Sequence, residues 1–151
     1  MSLNEEVEML RKITLFSKVD PPKLKLLAFE SERIVFDAGQ ALCTQGDPGD
    51  SAFIIMECSA DVLVDTPKGP LTVASVGKSD IVGEIAILCD VPRTATVKAT
   101  SRLIALRISK DLFYQMVNEF PQMAVQIMRE LAMRLDRSNR KLREAMSRPP
   151  G

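Results

Sequence analysis

Gly83-Glu84-Ile85-Ala86-Ile87-Leu88-Cys89-Asp90-Val91-Pro92-Arg93-Thr94-Ala95-Thr96-Val97 sets an acid, a fixed cation and a glycine-led apolar turn within one short unit. Gly83 has no side chain, so backbone there can approach another group closely, and Glu84 to Leu88 suits a short helix whose first N–H groups start unpaired. Pro92 fixes its own φ and biases Val91 towards an extended conformation. The alternation of Thr94, Ala95, Thr96 and Val97 then predicts a strand over 94–98. Arg93 therefore stands where a loop enters a sheet.

The two charged residues have complementary chemistry. The Arg93 guanidinium is always charged and presents a planar fork of donors that fits two phosphate oxygens at once, which a lysine cannot copy. Glu84 repels a phosphate but accepts hydrogen bonds from sugar hydroxyls. In a 3′,5′-cyclic nucleotide the 2′-hydroxyl is the one ribose hydroxyl left free, so one acid with one arginine matches that ligand.

This stretch resembles the phosphate-binding cassette of the cyclic nucleotide-binding domain family, and the likeness extends along the chain. Val35-Phe36-Asp37-Ala38-Gly39-Gln40 and Gln45-Gly46-Asp47-Pro48-Gly49-Asp50-Ser51-Ala52-Phe53-Ile54-Ile55 resemble the family's early strands and glycine turns. Leu15-Phe16-Ser17-Lys18-Val19 with 21–28 is similar to its N-terminal helical segment. Cys58 and Ser79 stand where the family commonly has glycine in turns, so local backbone adjustment is expected there, with the strain of any positive φ costing about 1 kcal/mol or more. The resemblance implies a cAMP or cGMP site in which Glu84 holds the ribose and Arg93 the cyclic phosphate. The backbone of Gly83, Ile85 and Ala86 completes the phosphate shell, and Thr94 with Ala95 lines the other side. Thr94 reads equally well as an ordinary strand residue or as a hydroxyl that meets phosphate or a purine edge.

Composition narrows the alternatives. At 151 residues, 46% hydrophobic and 26% charged, the chain suits one domain with a sizeable core. Twenty basic and twenty acidic residues cancel, so the overall field offers a polyanion little, and no nucleic-acid partner is expected. The chain has no histidine, which removes Ser-His and Cys-His nucleophilic catalysis and histidine-metal hydrolysis. With no pair of acids placed about a scissile bond, the expectation is a binding protein, with no catalytic residue and no metal. Cys43, Cys58 and Cys89 lack the spacing of a zinc site or redox dithiol and are expected to be free, mostly buried thiols. No apolar run approaches membrane-spanning length and the N-terminus carries Glu5, Glu6 and Glu8. A cytoplasmic protein without a membrane partner is expected.

Along the chain, Leu3, Val7, Leu10 and Ile13 predict a first amphipathic helix over 3–15, and Asp20-Pro21-Pro22 opens a second. Short β-prone runs at 33–36, 52–57, 61–65, 71–76, 94–98 and 103–107, parted by turn residues, predict an antiparallel barrel or jelly roll. Ser109 caps a helix over 110–118 and Pro121 opens a longer one to about Met146. The fold class expected is α+β: an antiparallel β-barrel of the jelly-roll type flanked by N- and C-terminal helices. Residues 1–146 are expected to form one domain and 147–151 a flexible tail. With five residues after Met146, no separate groove-reading module is expected.

The last helix carries Met128, Leu131, Leu135, Ser138, Leu142 and Ala145 in alternating steps of three and four, a stripe that a second copy or an effector helix could cover. Between residues 129 and 148 it has seven basic and three acidic residues. Arg134, Arg137 and Ser138 could instead fold over a bound base, with the arginines stacking on its face. The function expected is a cyclic nucleotide sensor that converts occupancy into movement of its C-terminal helices. The alternative is the regulatory part of a DNA-binding regulator, a channel or a kinase.

Overall fold

A computed structural model describes residues 2–13, 16–17 and 19–147, without the side chain of Ile85. The expected tail lies outside these residues except for Ser147. The same holds for Leu15 at the end of the predicted first helix.

The middle of the chain folds into eight strands in two four-stranded sheets. β1 (Glu32–Phe36), β8 (Leu103–Ser109), β3 (Ser51–Glu57) and β6 (Ile81–Val82) form one sheet in that order. β2 (Ala41–Cys43), β7 (Thr96–Ala99), β4 (Ser59–Thr66) and β5 (Gly69–Gly77) form the other, and all pairings are antiparallel. The helices flank this pair of sheets as expected: α1 (Leu3–Arg11) and α2 (Pro21–Glu30) precede it, α3 (Glu84–Cys89) interrupts it, and α4 (Lys110–Glu119) and α5 (Pro121–Ser147) follow.

The alternation of β3 and β8 explains the layering. Ala52, Ile54 and Met56 face a core shared with the helices, whereas Phe53 and Ile55 face the space between the sheets. In β8, Ile104, Leu106 and Ile108 join the helical core while Leu103 and Ala105 join the inter-sheet core. The first sheet is thus apolar on both faces, which is why β3 reads as a continuous hydrophobic run. Leu10, Phe16, Leu24, Phe113, Met123 and Ile127 bring the flanking helices onto its outer face.

Local sequence sets the helix boundaries. The Ser2 hydroxyl accepts from the Glu5 amide (3.2 Å) at the start of α1, and Ser109 accepts from the Leu112 amide (3.2 Å) at the start of α4. Asp20 occupies the N-cap of α2 without a side-chain bond, and Pro21 takes the first turn. α4 ends where Phe120 leaves the helical region at φ −127, ψ 79, and Pro121 opens α5.

Several expectations need correction. Thr94 and Ala95 precede the strand, which starts at Thr96, so the predicted run begins two residues too early. The short strands β2 and β6 were not anticipated. Cys58 and Cys89 are exposed and Cys43 is half-buried, so the thiols are free but not mostly buried. At the two substituted turns, where backbone adjustment was expected, the left-handed geometry is kept: Cys58 has φ 69 between β3 and β4, and Ser79 has φ 78 between β5 and β6. Among the described residues no helix is long and apolar enough to cross a membrane.

Candidate functional site

The site forms where α3 interrupts the return from β6 to β7. Gly83 caps α3 at φ 87, a left-handed conformation costly for any residue with a side chain. Sterics add a second requirement, since a Cβ at Gly83 would collide with Arg93 Nη1 and lie 3.1 Å from the Ser51 carbonyl. Gly49 faces a similar constraint: a Cβ there would meet the Ala86 side chain and approach Arg93 Nε at 3.2 Å. The two glycines make the slot that admits the arginine.

Arg93 is held in that slot by backbone. Its own N–H donates to the Asp47 carbonyl (2.8 Å), and its carbonyl accepts from Gly46 N–H (2.9 Å). The side chain, 6% exposed, donates through Nη1 to the Gly83 carbonyl (3.0 Å). Nη2 donates to the Ser51 carbonyl (2.8 Å) and, more weakly, to the Ser51 hydroxyl (3.4 Å). A buried guanidinium matched by carbonyls keeps its full charge and remaining donors for an anion, with its orientation already set.

Glu84, at 2% exposure, opens α3. Arg134 of α5 donates to its Oε1 at 2.8 Å and also to the Ile81 carbonyl at 3.2 Å. Burial pushes the Glu84 carboxyl above its ordinary range, and the Arg134 guanidinium, with the hydrogen bonds the carboxylate accepts, pulls it part of the way back. Cys43, half-buried nearby, has its thiol pushed up by burial against the field of Arg93. Among the described residues no buried side-chain polar atom lacks a partner.

These groups surround a cavity of about 220 Å³. Gly83, Glu84, Ala86, Arg93, Thr94, Ala95 and Arg134 line its polar end. Val62 from β4, Ala74 and Val76 from β5, Val82, Val97 and Cys43 form an apolar wall. Of the residues singled out from sequence, Ile85 lies in α3 with its side chain outside the described set. Arg137 and Ser138 are exposed on α5 and do not line the cavity. Of the three candidates on the last helix, Arg134 alone reaches the site. Sequence reading missed Ser51 and Gly49 behind the arginine and the whole apolar wall. The alternation in β4 and β5 marks one face of that sheet, but only the closure of the two sheets shows that this face meets α3.

A larger opening of about 510 Å³ lies between Val19 and the joint of α4 and α5 and shares no lining residue with this one. Its charged lining residues, Glu119 and Arg129, are exposed, whereas Glu84 and Arg93 are buried and held in place, so the smaller cavity is the better candidate for recognition.

The model of the family "Cyclic nucleotide-binding domain" matches residues 33–120, and the chain belongs to that family. It is 27% identical over 136 residues to a CRP-like cAMP-activated global transcriptional regulator of Mycobacterium tuberculosis, covering 89% of this chain and 61% of the regulator. It is 32% identical over 120 residues to a cAMP-dependent protein kinase regulatory subunit of Dictyostelium discoideum, covering 77% of this chain and 37% of the subunit. A cyclic nucleotide-binding domain from Methylobacillus flagellatus superposes with a TM-score of 0.74 at 26% identity, over 99% of this chain and 85% of that one. The chain spans about three fifths of the transcriptional regulator and less than half of the kinase subunit.

Proposed function

We propose that this chain binds a 3′,5′-cyclic nucleotide, cAMP or cGMP, in the cavity beside α3 and reports occupancy through its C-terminal helices. The observation that carries the reading is a buried acid and a buried arginine facing one cavity with an apolar wall, in a chain of the cyclic nucleotide-binding family. The charged residues that line the cavity are Glu84, Arg93 and Arg134, which leave a surplus of one positive charge when the acid is ionised. A cyclic phosphodiester carries a single negative charge and completes that balance, whereas a 5′-monophosphate brings more.

In this reading Arg93 meets the phosphate, helped by the backbone of Gly83, Ile85 and Ala86, while Glu84 accepts from the ribose 2′-hydroxyl. Thr94 and Ala95 line the opposite side, and the base lies along Val62, Ala74 and Val76. Arg134 is where occupancy meets α5. A ribose that takes a lone pair of Glu84 must share the carboxylate with Arg134 or displace it, so ligand and α5 are coupled through one group. Arg137 and Ser138 reach a bound base only if α5 moves.

The chain acts as a regulatory module and not as an enzyme, and its length relative to the Mycobacterium regulator favours the sensor part of a longer regulator as the second reading. A cytoplasmic location suits such a role. Its output surface is α5. From Leu135 onward that helix is exposed, and Leu131 turns towards the protein's own core instead of joining an outward stripe. The exposed stripe is Val125, Met128, Ala132, Leu135, Asn139, Leu142 and Met146, again in steps of three and four, and it would pair with a second copy or an effector helix.

The deciding experiment is calorimetry with cAMP and cGMP on protein first checked by absorbance for co-purified nucleotide. Saturable binding of either at one site per chain supports the reading. No heat with either, on nucleotide-free folded protein, refutes it.

A further inference from the structure

β4 outlasts its partner β7. The two strands pair through Ala60–Ala99, Asp61–Lys98, Val62–Val97 and Leu63–Thr96. At one end of this ladder the Thr100 amide donates to the Ser59 carbonyl (3.1 Å), so the odd-numbered residues of β4 are those that bond towards β7. One more step in register would set Asp65 opposite Thr94, with the Asp65 amide on the Thr94 carbonyl. The ladder stops short of it, since β7 begins at Thr96 while β4 continues to Thr66.

A side chain fills the open place. The Asp65 amide donates to Gln45 Oε1 at 2.8 Å. Gln45 is half-buried in the turn between β2 and β3, where the Asp47 amide donates to the Thr44 carbonyl (3.1 Å) and Gly46 adopts φ 89. The same turn grips the segment that left the ladder. The Thr96 hydroxyl accepts from the Gln45 amide (2.9 Å), and Arg93 exchanges backbone bonds with Asp47 (2.8 Å) and Gly46 (2.9 Å). Gln45 therefore bridges β4 and the 93–96 segment. The consequence falls on Thr94. In a continued strand, the alternation that sets Val97 and its partner Val62 in the cavity would place Thr94, like Thr96, on the opposite face. Thr94 instead lines the cavity, because the chain bends at 94–95 and does not pair with β4 there.

We propose that Gln45 is a positioning residue of the ligand site: by accepting the Asp65 amide it stands in for Thr94 in the β4 ladder and so keeps Thr94 turned to the cavity. This rests on the proposed ligand site. Without the Gln45 acceptor, the Asp65 amide recruits the Thr94 carbonyl, β7 lengthens, and the threonine hydroxyl rotates away from the ligand.

NMR and calorimetry on the same nucleotide-free, isotopically labelled protein test this. In the parent, the Asp65 amide should exchange at least about tenfold more slowly than in an open chain, although β7 does not reach it. Gln45→Met removes the acceptor at nearly constant size. The backbone carbon shifts of Thr94 and Ala95 should then move to strand values, a signature that a general loss of stability does not produce. The tighter-binding of cAMP and cGMP should bind about three- to tenfold more weakly, as expected for one neutral hydrogen bond. Gln45→Asn, the same amide one methylene shorter, serves as a second variant with the same expected result. An unprotected Asp65 amide in the parent, unmoved Thr94 shifts in the folded variants, or affinity within about twofold of the parent would each overturn the proposal while leaving the binding site intact. Absence of binding of either nucleotide by the parent overturns the site itself and this inference with it.

Discussion

Replacing Arg93 by alanine tests fold and site together, because the side chain serves both. Its guanidinium satisfies the carbonyls of Gly83 and Ser51 at 3.0 and 2.8 Å in a place where it is 6% exposed. Leaving such acceptors unpaired costs about 1–3 kcal/mol each, less if water enters the vacated slot. A stability loss of about 2–4 kcal/mol is therefore expected for Arg93→Ala. On the ligand side, removing the charged donor leaves a desolvated phosphate without its partner, a loss of about 2–5 kcal/mol in cyclic nucleotide binding. Arg93→Lys separates the two effects. It keeps the charge, yet one ammonium cannot span both carbonyls and two phosphate oxygens, so it should recover only part of each loss. Urea denaturation reads the first quantity and calorimetry on samples shown to be folded reads the second. Near-parental affinity in folded Arg93→Ala would refute the phosphate assignment. Unchanged stability would refute the structural role of its two carbonyl bonds.

If Glu84 accepts from the ribose, a 2′-deoxy cyclic nucleotide should bind the parent much more weakly but show little further loss with Glu84→Gln; additive losses in this cycle would assign Glu84 to Arg134 and α3 alone. The pH dependence of stability probes the same carboxyl. Burial raises it above the ordinary 4.5, so in the window above that value the folded state holds more protons than the unfolded state, and Glu84's contribution to stability falls as pH rises. The melting temperature of the parent relative to Glu84→Gln should decline as pH increases from 4.5, and a difference independent of pH would contradict the burial argument. Thr94 lines the cavity beside Arg93, and its hydroxyl can meet the guanine amine of a syn base. Thr94→Ala should then penalise cGMP more than cAMP by about 1 kcal/mol in competitive titration, and equal losses would assign the hydroxyl to the shared phosphate.

Much of this architecture was legible from local chemistry. Period-two runs, turn residues and caps at Ser109 and Pro121 are short-range signals, and they located the longer strands and the helices to within a few residues. That Cys58 and Ser79 stand in turns was legible too, but not that both would keep a left-handed φ, which the strands pairing on either side impose. Gly83, Glu84 and Arg93 stood out because a glycine-led turn, an acid and a Pro-Arg return lie within one short segment.

Tertiary structure decided what depends on groups distant in sequence. The strands β2 and β6 are too short to carry a period and exist because β7 and β3 supply their partners. The carbonyls that orient Arg93 come partly from Ser51, 42 residues away, and the ligand wall comes from a sheet whose closure no local pattern encodes. On α5, Arg134 and Arg137 carry the same charge less than one turn apart. A helix rotates about 100° per residue, so only its packing through Met123, Ile127 and Leu131 turns Arg134 to Glu84 and leaves Arg137 in solvent.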